Sequence, residues 1–165
     1  MMDLLGYTDF DRDVQKYLNN VIAKYNLHFS NEYLLLLNKQ LHHYVCLKNE
    51  FVIMTINNIE SFPYQDTVPH FYFFDNLDTH KLIKIEDDSI TNFLSIKREE
   101  FEAYCLNHYS NFAENDPFIK DEKGGYLYGL KSINDLIEKF YKPLFTGEKT
   151  TEDYLKFLND TQNKV

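Results

Sequence analysis

The chain of 165 residues contains no tryptophan, two cysteines, four prolines and five glycines. Each shortage closes off a class of protein. Cys46 and Cys105 cannot make a disulfide framework, and they fit reduced thiols better than a stapled secreted fold. A membrane-spanning helix needs about 20 consecutive apolar residues, and the longest apolar runs fall far short, so no membrane association is expected. No Pro/Gly/Ser-rich stretch, internal repeat or low-complexity tract divides the chain. One domain over residues 1–165 is expected, since roughly 100–200 residues is the ordinary domain size.

The strong catalytic and nucleotide-binding motifs are missing as well. There is no phosphate loop, no G-x-G-x-x-G after a strand, no H-E-x-x-H and no G-x-S-x-G. Asp9-Phe-Asp11-Arg-Asp13 opens like a calcium loop, but Val14 and Asn20 stand where that loop needs its tight turn and its bidentate ligand. The opening MMDLLGYTDFDRD has neither a basic region nor a sustained apolar core of the signal-peptide type, so a cytoplasmic location is expected.

What is present is aromatic and acidic. Phe (14) and Tyr (13) together number 27, and the net charge is −9. Three Ala and two Arg stand against fifteen Lys and sixteen Asn, a bias toward residues with A/T-rich codons that accounts for much of the aromatic content. The rings still bury large apolar areas, so a chain with 44 % hydrophobic residues can close a real core.

Val14, Tyr17, Leu18, Val21, Ile22 and Tyr25 recur at helical spacing, with Thr8 or Asp9 as cap. Ser30 is expected to cap a second helix through Leu34, Leu37, Leu41, Tyr44 and Val45. FVIMTI over 51–56 reads as a strand. Pro63 and Pro69 bracket an expected loop, followed by strands HFYFFD and KLIKIED around a turn at 76–78. A helix carries Ile96, Phe101, Tyr104, Cys105, His108 and Phe112. Asp121–Gly125 reads as a tight turn before Tyr126-Leu-Tyr128. Ser132-x-x-Asp135 resembles a capping box for a helix that should stop before Pro143. A last helix after Thr150 or Thr151 turns Tyr154, Leu155 and Leu158 inward. The expected fold is α+β, with two N-terminal helices, a small mainly antiparallel sheet, then C-terminal helices.

Few residues suggest chemistry. His42-x-x-x-Cys46 and Cys105-x-x-His108 would each place two zinc ligands on one helix face. Cys105 and His108 also lie on an apolar stripe, where core packing explains them without a metal. No metal and no cofactor are expected. A Cys nucleophile with a His base has no local signature here, and Glu99 and Glu100 lie among charges that should keep them solvated rather than buried and catalytic.

Charge distribution is more informative. Residues 86–122 hold ten acidic and three basic side chains, net −7 of the total −9. Such a field repels nucleic-acid phosphates and attracts a basic protein surface. The candidate partner-binding residues are Glu86, Asp87, Asp88, Glu99, Glu100 and Glu102. Ordinary solubility is the competing explanation of the same charge.

Residues 14–38, VQKYLNNVIAKYNLHFSNEYLLLLN, resemble the opening of the SUKH superfamily. There an amphipathic helix, an apolar-x-apolar link and a helix of the type Pro-x-Glu-Tyr-x-x-Phe-Leu follow one another. Leu27-His28-Phe29 occupies the link, and Ser30-Asn31-Glu32-Tyr33 the helix start. Ile85–Leu94 is similar to the closing stretch, a strand end running into Ser-φ-x-x-Phe-Leu. Ser30 replaces the usual Pro, the Asn-Gly-Gly after the second helix is missing, and the frequent Trp has no counterpart. The resemblance implies a bacterial immunity protein that neutralises a toxin by direct binding, without enzymatic activity or cofactor. The leading expectation is therefore a cytoplasmic protein-binding module for a basic partner. The alternatives are a small hydrolase or transferase with a Tyr/His-lined pocket, and an adaptor or accessory protein of a mobile element.

Overall fold

Two short helices open the described chain, and a meander of five strands forms its centre. The computed structural model describes residues 9–37, 39, 44–58, 67–75, 81–104 and 133–163. The elements are α1 (Asp9–Tyr17), α2 (Asn19–Lys24), β1 (His28–Phe29), α3 (Asn31–Leu36), β2 (Tyr44–Lys48), β3 (Ile53–Asn58), β4 (Thr67–Phe74), β5 (Leu82–Lys84) and α4 (Ile90–Phe93). Residues 98–104 form helix α5, and residues 133–136 are α-helical. A π-helical segment (Ile137–Tyr141), α6 (Lys142–Thr146) and α7 (Thr151–Gln162) complete the order. The fold is α+β, with helices before and after the sheet.

The strands lie in the order β1-β2-β3-β4-β5, and every neighbouring pair is antiparallel. Opposite each other across the sheet stand Leu47 and Met54, then Met54 and Phe71. One face buries Val45, Leu47, Met54, Ile56, Phe71 and Phe73 against α1, α2, α4, the 133–146 stretch and α7. The other buries Cys46, Ile53 and Tyr72 beneath Leu34 of α3. Each large apolar side chain removed from water contributes about 1.5–3 kcal/mol, so the first face holds most of the core. Because both faces are covered, β2 and β3 carry buried residues consecutively rather than alternately.

Several expectations are corrected. The 14–25 stripe is two helices, broken at Leu18. Ser30 occupies the N-cap of α3 but makes no side-chain cap bond; its backbone N–H donates to the Cys46 carbonyl at 2.9 Å. Helix α3 ends at Leu36, and Tyr44 and Val45 belong to strand β2. Pro69 lies within β4 opposite Ile56. It is tolerated because β5 pairs only from Tyr72 onward, so one side of β4 has no β5 partner at that point. The 133–146 stretch passes Pro143 because the π segment lets a new helix start at Lys142, placing Pro143 in its first turn. There the missing N–H breaks no intrahelical bond. Tyr154 is buried in α7, whereas Leu155 is 48 % exposed. The turn at 76–78, the continuation of α5 through Phe112, the turn at 121–125 and the Thr8 and Ser132 caps lie outside the described residues.

Candidate functional site

Strand β5 runs into Ile85, which is buried and whose N–H donates to the Phe71 carbonyl at 2.9 Å. The Glu86 N–H then donates to the Tyr154 hydroxyl at 3.1 Å, tying the turn to α7. Ser89 and Ile90 close that turn by donating to the Glu86 carbonyl at 3.0 and 3.1 Å. Helix α4 is fixed by Phe93, whose ring lies 5.0 Å from Tyr154 and 5.5 Å from Phe157. Ser95 at φ 56 redirects the backbone into α5. That helix is anchored by Phe101, 5.2 Å from Phe140, and by Tyr104, 5.7 Å from the same ring.

The apolar residues of this segment thus point inward and the carboxylates outward. Glu86, Asp87, Asp88, Glu99, Glu100 and Glu102 are all exposed. Asp87 meets His70 Nδ1 at 3.2 Å, Lys97 lies 4.0 Å from Glu100, and Arg98 Nε donates to Glu102 at 2.7 Å. The Glu102 hydrogen bond holds the Arg98 guanidinium above its ordinary pKa. Residues 86–102 contain six carboxylates against Lys97 and Arg98, a net −4. Exposed ion pairs of this kind add little to folding, which leaves the carboxylates accessible to another surface.

A second feature was not anticipated from the sequence. An open groove of about 590 Å³ lies where the end of α2, the β2–β3 turn and α6 meet. Its construction rests on Asn49, only 7 % exposed. The Asn49 Nδ2 group donates to the carbonyls of Tyr25 and Phe145, both at 3.0 Å. Its Oδ1 accepts from the N–H groups of Phe51 at 2.9 Å and Val52 at 3.1 Å. One amide side chain therefore joins all three walls. Beside the groove, Glu138 accepts from Lys24 Nζ at 2.7 Å and from the Tyr25 hydroxyl at 2.9 Å. Those bonds, Lys24 foremost, hold the Glu138 carboxyl below its ordinary pKa. Burial first, and Glu138 second, raise the Tyr25 phenol. The polar triplet Lys48-Asn49-Glu50 between two strand-forming runs was the available signal for this turn, but Phe51 reads equally well as the first residue of the strand.

Among the described residues, the groove is lined by Tyr25 and two lysines but by no histidine or cysteine. Cys46 is a buried strand residue whose thiol is pushed up to about 12 by burial. That placement removes the helical geometry on which the His42/Cys46 metal pairing depended; His42, Cys105 and His108 lie outside the described residues. Among the described residues, no three His, Cys, Asp or Glu side chains cluster as metal ligands, and no helix is long and apolar enough to cross a membrane. In comparisons with protein-family models, curated proteins and solved structures, the chain matches none.

Proposed function

We propose that this chain is a protein-binding module that receives a basic protein partner on its exposed carboxylates, most concretely as a toxin-neutralising immunity protein. The supporting observation is the division of labour within residues 85–104. Ile85, Ile90, Phe93 and Phe101 anchor the segment in or against the core, while Glu86, Asp87, Asp88, Glu99, Glu100 and Glu102 all reach solvent. Charges held on an anchored backbone lose little freedom on binding. They speed encounter with a surface of opposite sign and penalise one of like sign. The immunity reading adds the resemblance of residues 14–38 and 85–94 to the SUKH pattern.

The test is co-expression in bacteria with a basic toxin encoded beside this chain's gene. The wild-type chain is expected to restore growth and to co-purify with the toxin. The variant E99K/E100K/E102K, expressed to the same level, is expected to do neither. Equal protection by both proteins, or none by the wild type, contradicts the proposal.

A further inference from the structure

The two faces of the sheet are covered unequally, and we propose that α3 is a hinged lid that lifts from the second face while the rest of the fold stays intact. This goes beyond the basic-partner reading, and neither depends on the other.

The first argument is how little holds the lid. The core beneath it consists of four buried residues, Leu34, Cys46, Ile53 and Tyr72, whereas the other face packs against helices from before and after the sheet. Among the described side chains of α3 only Leu34 is buried, and Leu35 and Leu36 are 70 % and 51 % exposed. Tyr33 adds a ring 5.8 Å from Phe74, with Lys48 Nζ 5.4 Å from its centre. All three are half-buried, and a cation over a ring open to water contributes modestly. A helix of six residues has no stability of its own, since isolated helices shorter than about 12–15 residues are marginal in water. Loss of the sheet contact therefore melts residues 31–37 together.

The second is a hydroxyl that the docked lid leaves without a partner. Thr55 stands opposite Cys46 on β2 and His70 on β4. Directly opposed residues share a face, so Thr55 lies on the side that α3 covers. It is fully buried, and its Oγ1 makes no hydrogen bond among the described residues. Such a group carries an uncompensated desolvation cost. Lifting α3 lets water reach it, which offsets part of the loss from exposing Leu34.

The third is a hinge. Phe29 packs against the main core, and the Ser30 N–H donates to the Cys46 carbonyl at 2.9 Å. The chain up to Ser30 is thus held to β2, and it can swing beyond that point without breaking the sheet. The lifted state bares Cys46, Ile53 and Tyr72 while β2 stays paired. It is the minor state, so Cys46 remains shielded during brief labelling at neutral pH.

The test is native-state amide exchange of the isotopically labelled full-length chain, read by NMR at low urea concentrations. The lid is reported by the Leu37 N–H, bonded to the Tyr33 carbonyl at 3.0 Å, and the Lys39 N–H, bonded to the Leu34 carbonyl at 2.8 Å. The body is reported by the Leu18 and Ile85 N–H groups, bonded to the Val14 and Phe71 carbonyls, both at 2.9 Å. Lid amides should be about a hundredfold less protected than body amides. Their urea slope should be smaller than that of the body but above zero, because lifting exposes surface. Ile137→Val, in the main core, should lower body protection severalfold and leave the lid unchanged, because the lifted state keeps that core. Thr55→Val should raise lid protection about tenfold. Equal protection of lid and body, lid exchange indifferent to urea, an equal effect of Ile137→Val on both, or lid protection unchanged by Thr55→Val would each overturn the proposal.

Discussion

The ring of Phe51 occupies the space that a side chain on Gly147 would need, with 2.6 Å between its nearest carbon and the position of a Cβ. Gly147→Ala therefore meets two costs, the positive φ of 80 and displacement of the ring. The backbone cost alone is about 1–2 kcal/mol. Urea unfolding should show a loss of about 2 kcal/mol for Gly147→Ala and a smaller loss when the same change is made in Phe51→Ala. Equal losses in both backgrounds would show that the ring simply moves aside, since only contacting residues depart from additivity.

Asn49 joins three elements through one side chain. Asn49→Ala leaves the Tyr25 and Phe145 carbonyls and the Phe51 and Val52 N–H groups without that partner. A loss of about 2–4 kcal/mol is expected, because unpaired buried polar groups carry their full desolvation cost. Asn49→Asp should be no better, since a carboxylate cannot donate to the two carbonyls. A denaturation midpoint close to wild type for either variant would contradict this role.

Glu138 and Asp153 should shape the acid limb of stability. Glu138 is lowered chiefly by the Lys24 hydrogen bond. Asp153 is lowered chiefly by the Thr150 backbone N–H, then by the Thr150 hydroxyl, within the capping box of α7. Each folded carboxyl thus titrates below its ordinary value of about 4.3 for Glu or 3.9 for Asp. Their contribution is full above those values and is lost as pH falls through the folded pKa. Both groups are largely solvated, so each effect is modest. Stability profiles of Glu138→Gln and Asp153→Asn between about pH 5 and 2 should be flatter than wild type, and unchanged slopes would count against both assignments.

Cys46 is 1 % exposed and its thiol is pushed up to about 12. Peptide mapping after iodoacetamide treatment at neutral pH should find Cys46 unmodified in the native protein and modified in urea, because only an accessible thiolate reacts. Rapid native labelling at Cys46 would mean that β2 opens far more readily than its burial implies.

The sequence made some elements legible and hid others for physical reasons. Val14, Leu18 and Val21 showed a helical stripe because only one side of α1 and α2 is buried. Strand β2 was obscured because Val45 and Cys46 face opposite sides of a sheet covered on both, which erases the alternation that marks a strand. Four leucines at 34–37 then carried the helix reading onward into Tyr44. In the structure Leu34 is buried, while Leu35 and Leu36 are 70 % and 51 % exposed. Exposure of Glu99, Glu100 and Glu102 could be read from Phe101 and its spacing to Tyr104. The groove could not, because Asn49 has no sequence signature for bonds to carbonyls 24 and 96 residues away.

The central claim, that the exposed carboxylates steer a basic partner, is tested most directly by association kinetics. The measurement is stopped-flow binding of the co-purified partner to the wild-type chain and to E99K/E100K/E102K across a range of ionic strength. Screening lengths shorten from about 30 Å at 0.01 M to about 3 Å at 1 M salt. The wild-type association rate should fall steeply over that range, while the reversed variant should associate slowly and depend little on salt, with its unfolding midpoint nearly unchanged. Equal association rates for the two proteins, or a wild-type rate indifferent to salt, would contradict the account.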